Sequence, residues 1–324
     1  MPLFLKFLVV TAFITLSGCA SIIDVQGHRG ARGLLPENTL PAFARALELG
    51  VSTLELDVGV TRDGVVVVHH DLYLNSDTTR SVDGKWLEMP GNRAPSIASL
   101  TYEQLQTYDV GRLKPNTAYQ KRYPDQVAVD GTKIPRLRDV LELVKKLGNN
   151  TVTISIETKL SPLEPKATLP PEAFVDAVLK VLAETRMSAR TMLQSFDWRA
   201  LRYAQKVAPY LPTVYLSAQQ KFLDNIGATD DKPSRWTADF NVQKHKTVPA
   251  MVHAAGGWTW SPYHGDVTAE NIAEAKALGL KVAVWTVNDV KQMEKMLDLG
   301  VDGIISDRPD IALRVVRERG LRVK

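Results

Sequence analysis

Apolar and polar positions alternate most regularly between residues 51 and 68. Leu54, Leu56 and Val58 interleave with Glu55 and Asp57, the period of two expected of a strand that sends successive side chains to opposite faces. A second apolar run, Val65–Val68, follows Thr61-Arg62-Asp63-Gly64, and Asp-Gly between two such runs predicts a hairpin. If the hairpin closes tightly at Arg62–Asp63, Glu55 falls opposite His70 and Asp57 opposite Val68. Two carboxylates and an imidazole would then share one patch of strand surface.

The rest of the chain switches between strand-like runs and helical spacing. Ile22–Val25 reads as a first strand leading into His28. Asn38-Thr39 reads as the cap of a helix with Leu40, Phe43, Ala44 and Leu47 on one face, stopped by Gly50. From Leu72 to Pro135 the periodicity breaks down, with one short helix expected near Tyr102–Tyr108, and Ser217–Val252 carries no clear pattern. Elsewhere strands centred on Val25, Leu54, Ile154, Met192, Val214, Thr259, Ala283 and Ile304 alternate with helical stretches. Such alternation implies parallel pairing, and eight units of this kind close into a (β/α)8 TIM barrel. The run Val65–Val68 is an extra hairpin strand outside the eight, since a tight turn cannot join parallel neighbours. Residues 72–135 form an insertion after barrel strand 2, expected to wall the pocket.

Composition changes this picture little. The chain has 324 residues, a net charge of +4 and no long Lys/Arg block, so nucleic acid is not an expected partner. One barrel-sized domain over residues 23–324 accounts for the length. The N-terminus is more informative. Lys6 precedes the apolar run Phe7–Leu16, too short to span a bilayer and right for a signal peptide over residues 1–18. It ends in Leu16-Ser17-Gly18-Cys19-Ala20, which resembles a bacterial lipobox. Cys19 is the single cysteine, so no internal disulfide forms. The expectation is an acylated Cys19, a tether over residues 19–22, and a domain anchored in the cell envelope, facing the periplasm or the cell surface.

The candidate chemistry lies at the ends of the strands. Glu55 and Asp57 share a strand face, and Glu157 ends the next barrel strand in Ile156-Glu157-Thr158-Lys159. Three converging carboxylates repel one another unless a cation sits between them or Arg29 and Lys159 pair with them. An all-oxygen site favours Ca2+ or Mg2+ over zinc. Imidazole acts as acid or base near neutral pH, which makes His28 and His70 candidates for a general base and a general acid. His69 falls on the opposite strand face and reads as structural. Arg29 and Lys159 are candidates to clamp a phosphate.

His28-Arg29-Gly30, Pro36-Glu37-Asn38-Thr39, Glu55-x-Asp57, Asp63-Gly64 and His70-Asp71, followed by Gln194-Ser195-Phe196, Trp285 and Asp307-x-Pro309, resemble the glycerophosphodiester phosphodiesterase family. The resemblance covers nearly the whole chain after residue 22. It implies a metal-dependent hydrolase releasing glycerol 3-phosphate and an alcohol, with Glu55, Asp57 and Glu157 on the cation and Trp285 facing substrate. A phospholipase of lysophospholipase D or sphingomyelinase D type shares this two-histidine, three-carboxylate site, and a catalytically idle surface lipoprotein is a third reading.

Overall fold

The protein is described by a computed structural model over residues 21–88, 94–227 and 234–324. The signal segment and Cys19 lie outside the described residues. The eight expected strands are all present: β1 (Ile22–Gly27), β2 (Thr53–Val60), β3 (Thr153–Thr158), β4 (Thr191–Ser195), β5 (Thr213–Ser217), β6 (Thr259–Pro262), β7 (Lys281–Val284) and β8 (Gly303–Ser306). Each pairs in parallel with its neighbours, and β1 pairs with both β8 and β2, which closes the barrel. Apolar residues dominate the strands because helices cover the outside while side chains fill the inside. Leu54, Leu56, Ile154, Ile156, Val282 and Ile304 have no exposed surface.

The first helix, α1 (Leu40–Leu49), shows how the local sequence sets the outer layer. Thr39 caps it by accepting from the Ala42 N–H, and Gly50 ends it at φ 86°, a left-handed conformation that favours glycine. Among the described residues, no helix is long and apolar enough to cross a membrane. A short C-terminal strand, Arg322–Val323, adds in parallel to the start of β1 at Ile22–Ile23.

The hairpin departs from its expected register. Val58 pairs with Val68 and Val60 with Val66, and Thr61 bonds Val65 beyond them, so the connection holds the three residues 62–64 rather than two. Thr61 causes the change: its N–H bonds the Val65 carbonyl, its Oγ1 accepts from the Val65 N–H, and Gly64 takes φ 79° to complete the loop. One residue of slip exchanges the faces of a strand. Asp57 therefore lies beside His69, whose N–H bonds the Asp57 carbonyl, and not beside Val68. His70 comes after the ladder has ended and does not lie opposite Glu55.

The stretch from 72 to 135 is a satellite lobe on the barrel. Leu74, Ala94, Ile97, Leu105, Val110 and Ile134 pack with Val67 of the hairpin into a second small core. The expected helix is shorter, Tyr102–Leu105, with a capping box between Thr101 and Gln104, and a second short helix, Ala118–Arg122, was not expected. Asp109 ties the lobe together, accepting from the Gly111 and Gly131 N–H groups and from Arg80 Nε and Nη2 at 2.7–3.0 Å. The stretch after β5 carries a small hairpin, Gln219–Gln220 with Leu223–Asp224, followed by the helices Val242–His245 and Val248–Ala254.

Candidate active site at the barrel mouth

Strand register builds the acidic centre. Asp57 pairs with Glu157 across β2 and β3, and Glu157 with Gln194 across β3 and β4, so the three stand level at the C-terminal rim. Glu55 is one pleat below on the same face as Asp57. One oxygen from each of Glu55, Asp57 and Glu157 lies within 4.8 Å of the others, and all three residues are buried. Glu55 accepts from the Arg29 N–H at 2.8 Å and from Gln194 Nε2 at 2.7 Å, but no cationic side chain among the described residues bonds it. Burial, together with Asp57 and Glu157, pushes its carboxyl well above the usual range. Burial also raises Glu157, to about 7, although Lys159 Nζ lies 2.5 Å from it. Asp57 goes the other way. Burial opposes its charge, yet His70, Arg29, Lys159 and the Asn38 amide together hold it well below the usual range.

The buried Oδ1 of Asp57 has no hydrogen-bond partner, since Lys159 Nζ stands off at 3.6 Å. An orphaned carboxylate oxygen beside two carboxyls pushed up by mutual repulsion is what a hard divalent cation would relieve. The residues fit such an ion. Pairing with Arg29 and Lys159 accounts for only two of the three acids, Asp57 and Glu157, and leaves Glu55 without a counter-charge.

His28 follows β1 in a tight loop. Gly30 sits at φ 87° and packs so closely on α1 that a Cβ there would meet the Ala42 carbonyl carbon at 2.7 Å. His28 Nδ1 lies 2.6 Å from Asp307 Oδ1 and 3.1 Å from Arg32 Nη2. A carboxylate only accepts, so the Nδ1 proton points to Asp307, and Nε2 is left facing the acids, 3.9 Å from Glu55 Oε2. Burial, then Arg32, lowers His28 to about 4, against the pull of Asp307. Asp307 is itself fixed by Arg32 Nε and Asn288 Nδ2 at 2.8 and 2.7 Å. His70 Nδ1 lies 2.6 Å from Asp71 Oδ1, and Asn75 holds the other Asp71 oxygen. Desolvation in the cleft, followed by Arg29 and Lys159, lowers His70 as well.

The two histidines, Glu55, Glu157, Arg29, Lys159 and Trp285 line a single cleft of about 320 Å³. His69 turns aside, with Nε2 3.2 Å from the Tyr73 carbonyl. Asn38 does not cap α1; its backbone N–H bonds the Arg29 carbonyl in the His28 loop, and its amide donates to Asp57 Oδ2 at 2.9 Å. Arg29 is pinned, with Nη1 2.6 Å from Glu37 and Nε 3.3 Å from Asp57. Trp285 donates from Nε1 to the Ser261 carbonyl and meets Phe196 and Tyr263 edge to face.

Sequence reasoning missed Arg32, the bonding of Glu37, and the lobe residues Tyr119 and Arg122. Arg32 stands four residues after His28, the only local signal for its contact. Tyr119 hydrogen-bonds Glu37 across 82 residues, and Arg122 reaches the cleft from the lobe, so neither is legible from spacing. Arg122 has no ion-pair partner among the described residues, whereas Arg29, Arg32 and Lys159 are all held by carboxylates.

Residues 28–311 match the Glycerophosphoryl diester phosphodiesterase family. A glycerophosphodiester phosphodiesterase of Caldanaerobacter subterraneus subsp. tengcongensis is 28% identical over 91% of this chain and 98% of its own. One from Bacillus altitudinis is likewise 28% identical over the same shares. A solved structure from Silicibacter pomeroyi DSS-3, classed with the glycerophosphoryl diester phosphodiesterases, is 39% identical with a TM-score of 0.82, over 94% of this chain and 96% of that one. An Oleispira antarctica phosphodiesterase solved with its product sn-glycerol-3-phosphate shares the fold at 23% identity, with a TM-score of 0.65 over 91% and 97% of the two chains. With a family match that runs from the first candidate histidine to the last helix, this chain belongs to the glycerophosphoryl diester phosphodiesterase family.

Proposed function

We propose that the protein hydrolyses glycerophosphodiesters to sn-glycerol 3-phosphate and an alcohol, with His28 as general base and His70 as general acid. The observation that carries this reading is the meeting of both imidazoles and three buried acids in one cleft. Glu55, Asp57 and Glu157 would hold a single divalent cation, Ca2+ or Mg2+. When bound, the ion supplies positive charge opposite the phosphoryl oxygens and acidifies the attacking hydroxyl.

The chain's own groups do the rest. His28, neutral at pH 7 with its Nδ1 proton on Asp307, takes the proton of the attacking oxygen at Nε2. That oxygen belongs either to a water, which gives sn-glycerol 3-phosphate directly, or to the glycerol hydroxyl of the substrate, which gives a cyclic phosphate that a water then opens to sn-glycerol 3-phosphate. The bond from phosphorus to the head-group oxygen breaks, and His70 delivers a proton to the departing alkoxide. Asp71 stabilises the charged form of His70, and a bound phosphodiester anion offsets the push of Arg29 and Lys159. Arg29 and Lys159 supply the cationic wall for that anion.

The test is turnover of glycerophosphocholine and lysophosphatidylcholine by the purified protein, with EDTA and with Ca2+ or Mg2+ restored. His28→Ala and His70→Ala should each lower kcat by about 10²–10⁴, and EDTA should abolish activity until a divalent ion is added. Wild-type turnover by His70→Ala would refute the acid role, and faster turnover of the lysophospholipid would favour the phospholipase reading. A second reading rests on the sequence alone: Cys19 is acylated and anchors the domain to the envelope. Labelled palmitate should enter the wild-type protein and fail to enter Cys19→Ser.

A further inference from the structure

One cation of the cleft is not spoken for. Arg29, Arg32, Arg122 and Lys159 all line it. Arg29 is paired with Glu37 and Asp57, Arg32 with Asp307, and Lys159 with Glu157. Arg122 is exposed, and no carboxylate among the described residues holds it.

The satellite lobe fixes its position. Arg122 ends the helix Ala118–Arg122, which Thr117 caps by accepting from the Gln120 N–H. Residues on either side of Arg122 are fastened to the loop after His28. The Tyr119 hydroxyl donates to Glu37, the carboxylate that also grips Arg29. The Tyr123 ring lies 4.9 Å from the guanidinium carbon of Arg32. Gln126 Nε2 donates to the Arg32 carbonyl at 2.7 Å, and the Val127 N–H to the Leu34 carbonyl at 2.9 Å. Arg308, just beyond β8, reaches Asp125 at 2.6 Å. A lobe element clamped to the barrel mouth in this way keeps its arginine at the cleft before any ligand arrives. Only the side chain is then left to be ordered on binding.

Charge decides what such a group would meet. The reacting phosphodiester carries one negative charge, which Arg29 and Lys159 face in the hydrolytic reading above. Glycerol carries none. A second anion on the substrate can therefore belong only to the other alcohol. A guanidinium presents two parallel N–H groups, which match the two oxygens of one carboxylate. A phosphomonoester would bring nearly two charges at neutral pH to a single unpaired cation.

We propose that Arg122 determines specificity by receiving a carboxylate on the departing alcohol, so that the cleft selects diesters of the serine type over those of the ethanolamine type. The inference rests on the hydrolytic reading and names the substrate class of the same cleft. The rival is a contact between Arg122 and the reacting phosphate itself, which every diester shares.

Glycerophosphoserine and glycerophosphoethanolamine differ by one carboxylate, so the ratio of their kcat/KM values isolates the contact. The wild-type protein, supplied with Ca2+ or Mg2+, should favour the serine diester about fivefold. Arg122→Gln should bring the ratio close to one. Arg122→Lys, which keeps the charge but lacks the fork, should recover part of it. Lys121→Gln removes the same charge from an exposed neighbour outside the cleft and should leave the wild-type ratio in place. A wild-type ratio near one, an equal loss on both diesters in Arg122→Gln, or the same fall in ratio in Lys121→Gln overturns the proposal. If neither diester is turned over with either ion, the hydrolytic reading falls, and calorimetry on the two diesters then decides the subsite. About fivefold tighter binding of glycerophosphoserine, lost in Arg122→Gln, sustains it, and equal Kd values or no binding overturn it.

Discussion

Glu55 stands among acids with no cationic side chain paired to it among the described residues. Burial and the neighbouring acids disfavour its charged form in the folded chain, so above the ordinary glutamate value its carboxyl costs folding free energy. The cost is present at neutral pH and disappears as pH falls below the ordinary glutamate value. Glu55→Gln should therefore raise the cation-free protein's stability by about 1–3 kcal/mol at pH 7, seen as a higher Tm, with the gain gone at pH 4. Gln194 can turn its amide to receive the new N–H, because its Oε1 is buried without a partner. The same variant should lose activity, and adding Ca2+ or Mg2+ should no longer raise its Tm if Glu55 helps to hold a divalent ion. Asp307 acts through another residue. It fixes the tautomer of His28, so Asp307→Asn should lower kcat by about 10² with a smaller change in KM and shift the acid limb of the pH–rate profile. A purely structural role would leave that limb where it was.

Among the elements, the lobe over residues 72–135 depends most on a single side chain. Burial alone would raise Asp109, but the Gly131 and Gly111 N–H groups and Arg80 outweigh it and hold the carboxyl below its usual range. A depressed carboxyl contributes stability above its unfolded value and loses that contribution as pH falls through the folded one. The lobe should thus loosen in acid before the barrel does, read as faster amide exchange over residues 94–135. Asp109→Asn should give faster exchange already at pH 7, equivalent to about 1–3 kcal/mol for charged hydrogen bonds lost, and a flatter response to acid. The lobe was the least legible part of the sequence for a related reason. Its core of Leu74, Ile97, Leu105, Val110 and Ile134 is assembled from unevenly spaced positions, and Asp109 works through backbone groups that leave no trace in spacing. The barrel strands, in contrast, were legible because each is a short stretch carrying apolar residues and alternates with helical spacing. The hairpin was legible as an element but not in register, because one threonine hydroxyl lengthened its loop by a residue.

At the scale of the molecule, the reading of the site divides along the same line. Glu55, Asp57 and Glu157 could be found because strand alternation and position at a strand end are local properties. The contact of His28 with Asp307 spans 279 residues and depends on β8 closing against β1, which no window of sequence contains. The parallel register is what converts the local pattern into a centre: shifting β3 by one residue against β2 would turn Glu157 away from the acids. The rings of Phe196, Tyr263 and Trp285 meet likewise, from three separate strand ends that only the closed barrel brings together.

The short strand Arg322–Val323 lies against Ile22–Ile23 at the foot of β1, so the two ends of the described chain leave the molecule side by side. The six residues of β1 separate that foot from the His28 loop by roughly 20 Å. A handle grafted to either terminus, or a bead or bilayer gripping it there, would seat the molecule upright with its opening turned outward. In that pose dissolved molecules would enter the opening from outside, while the supporting surface would lie at the opposite end of the barrel.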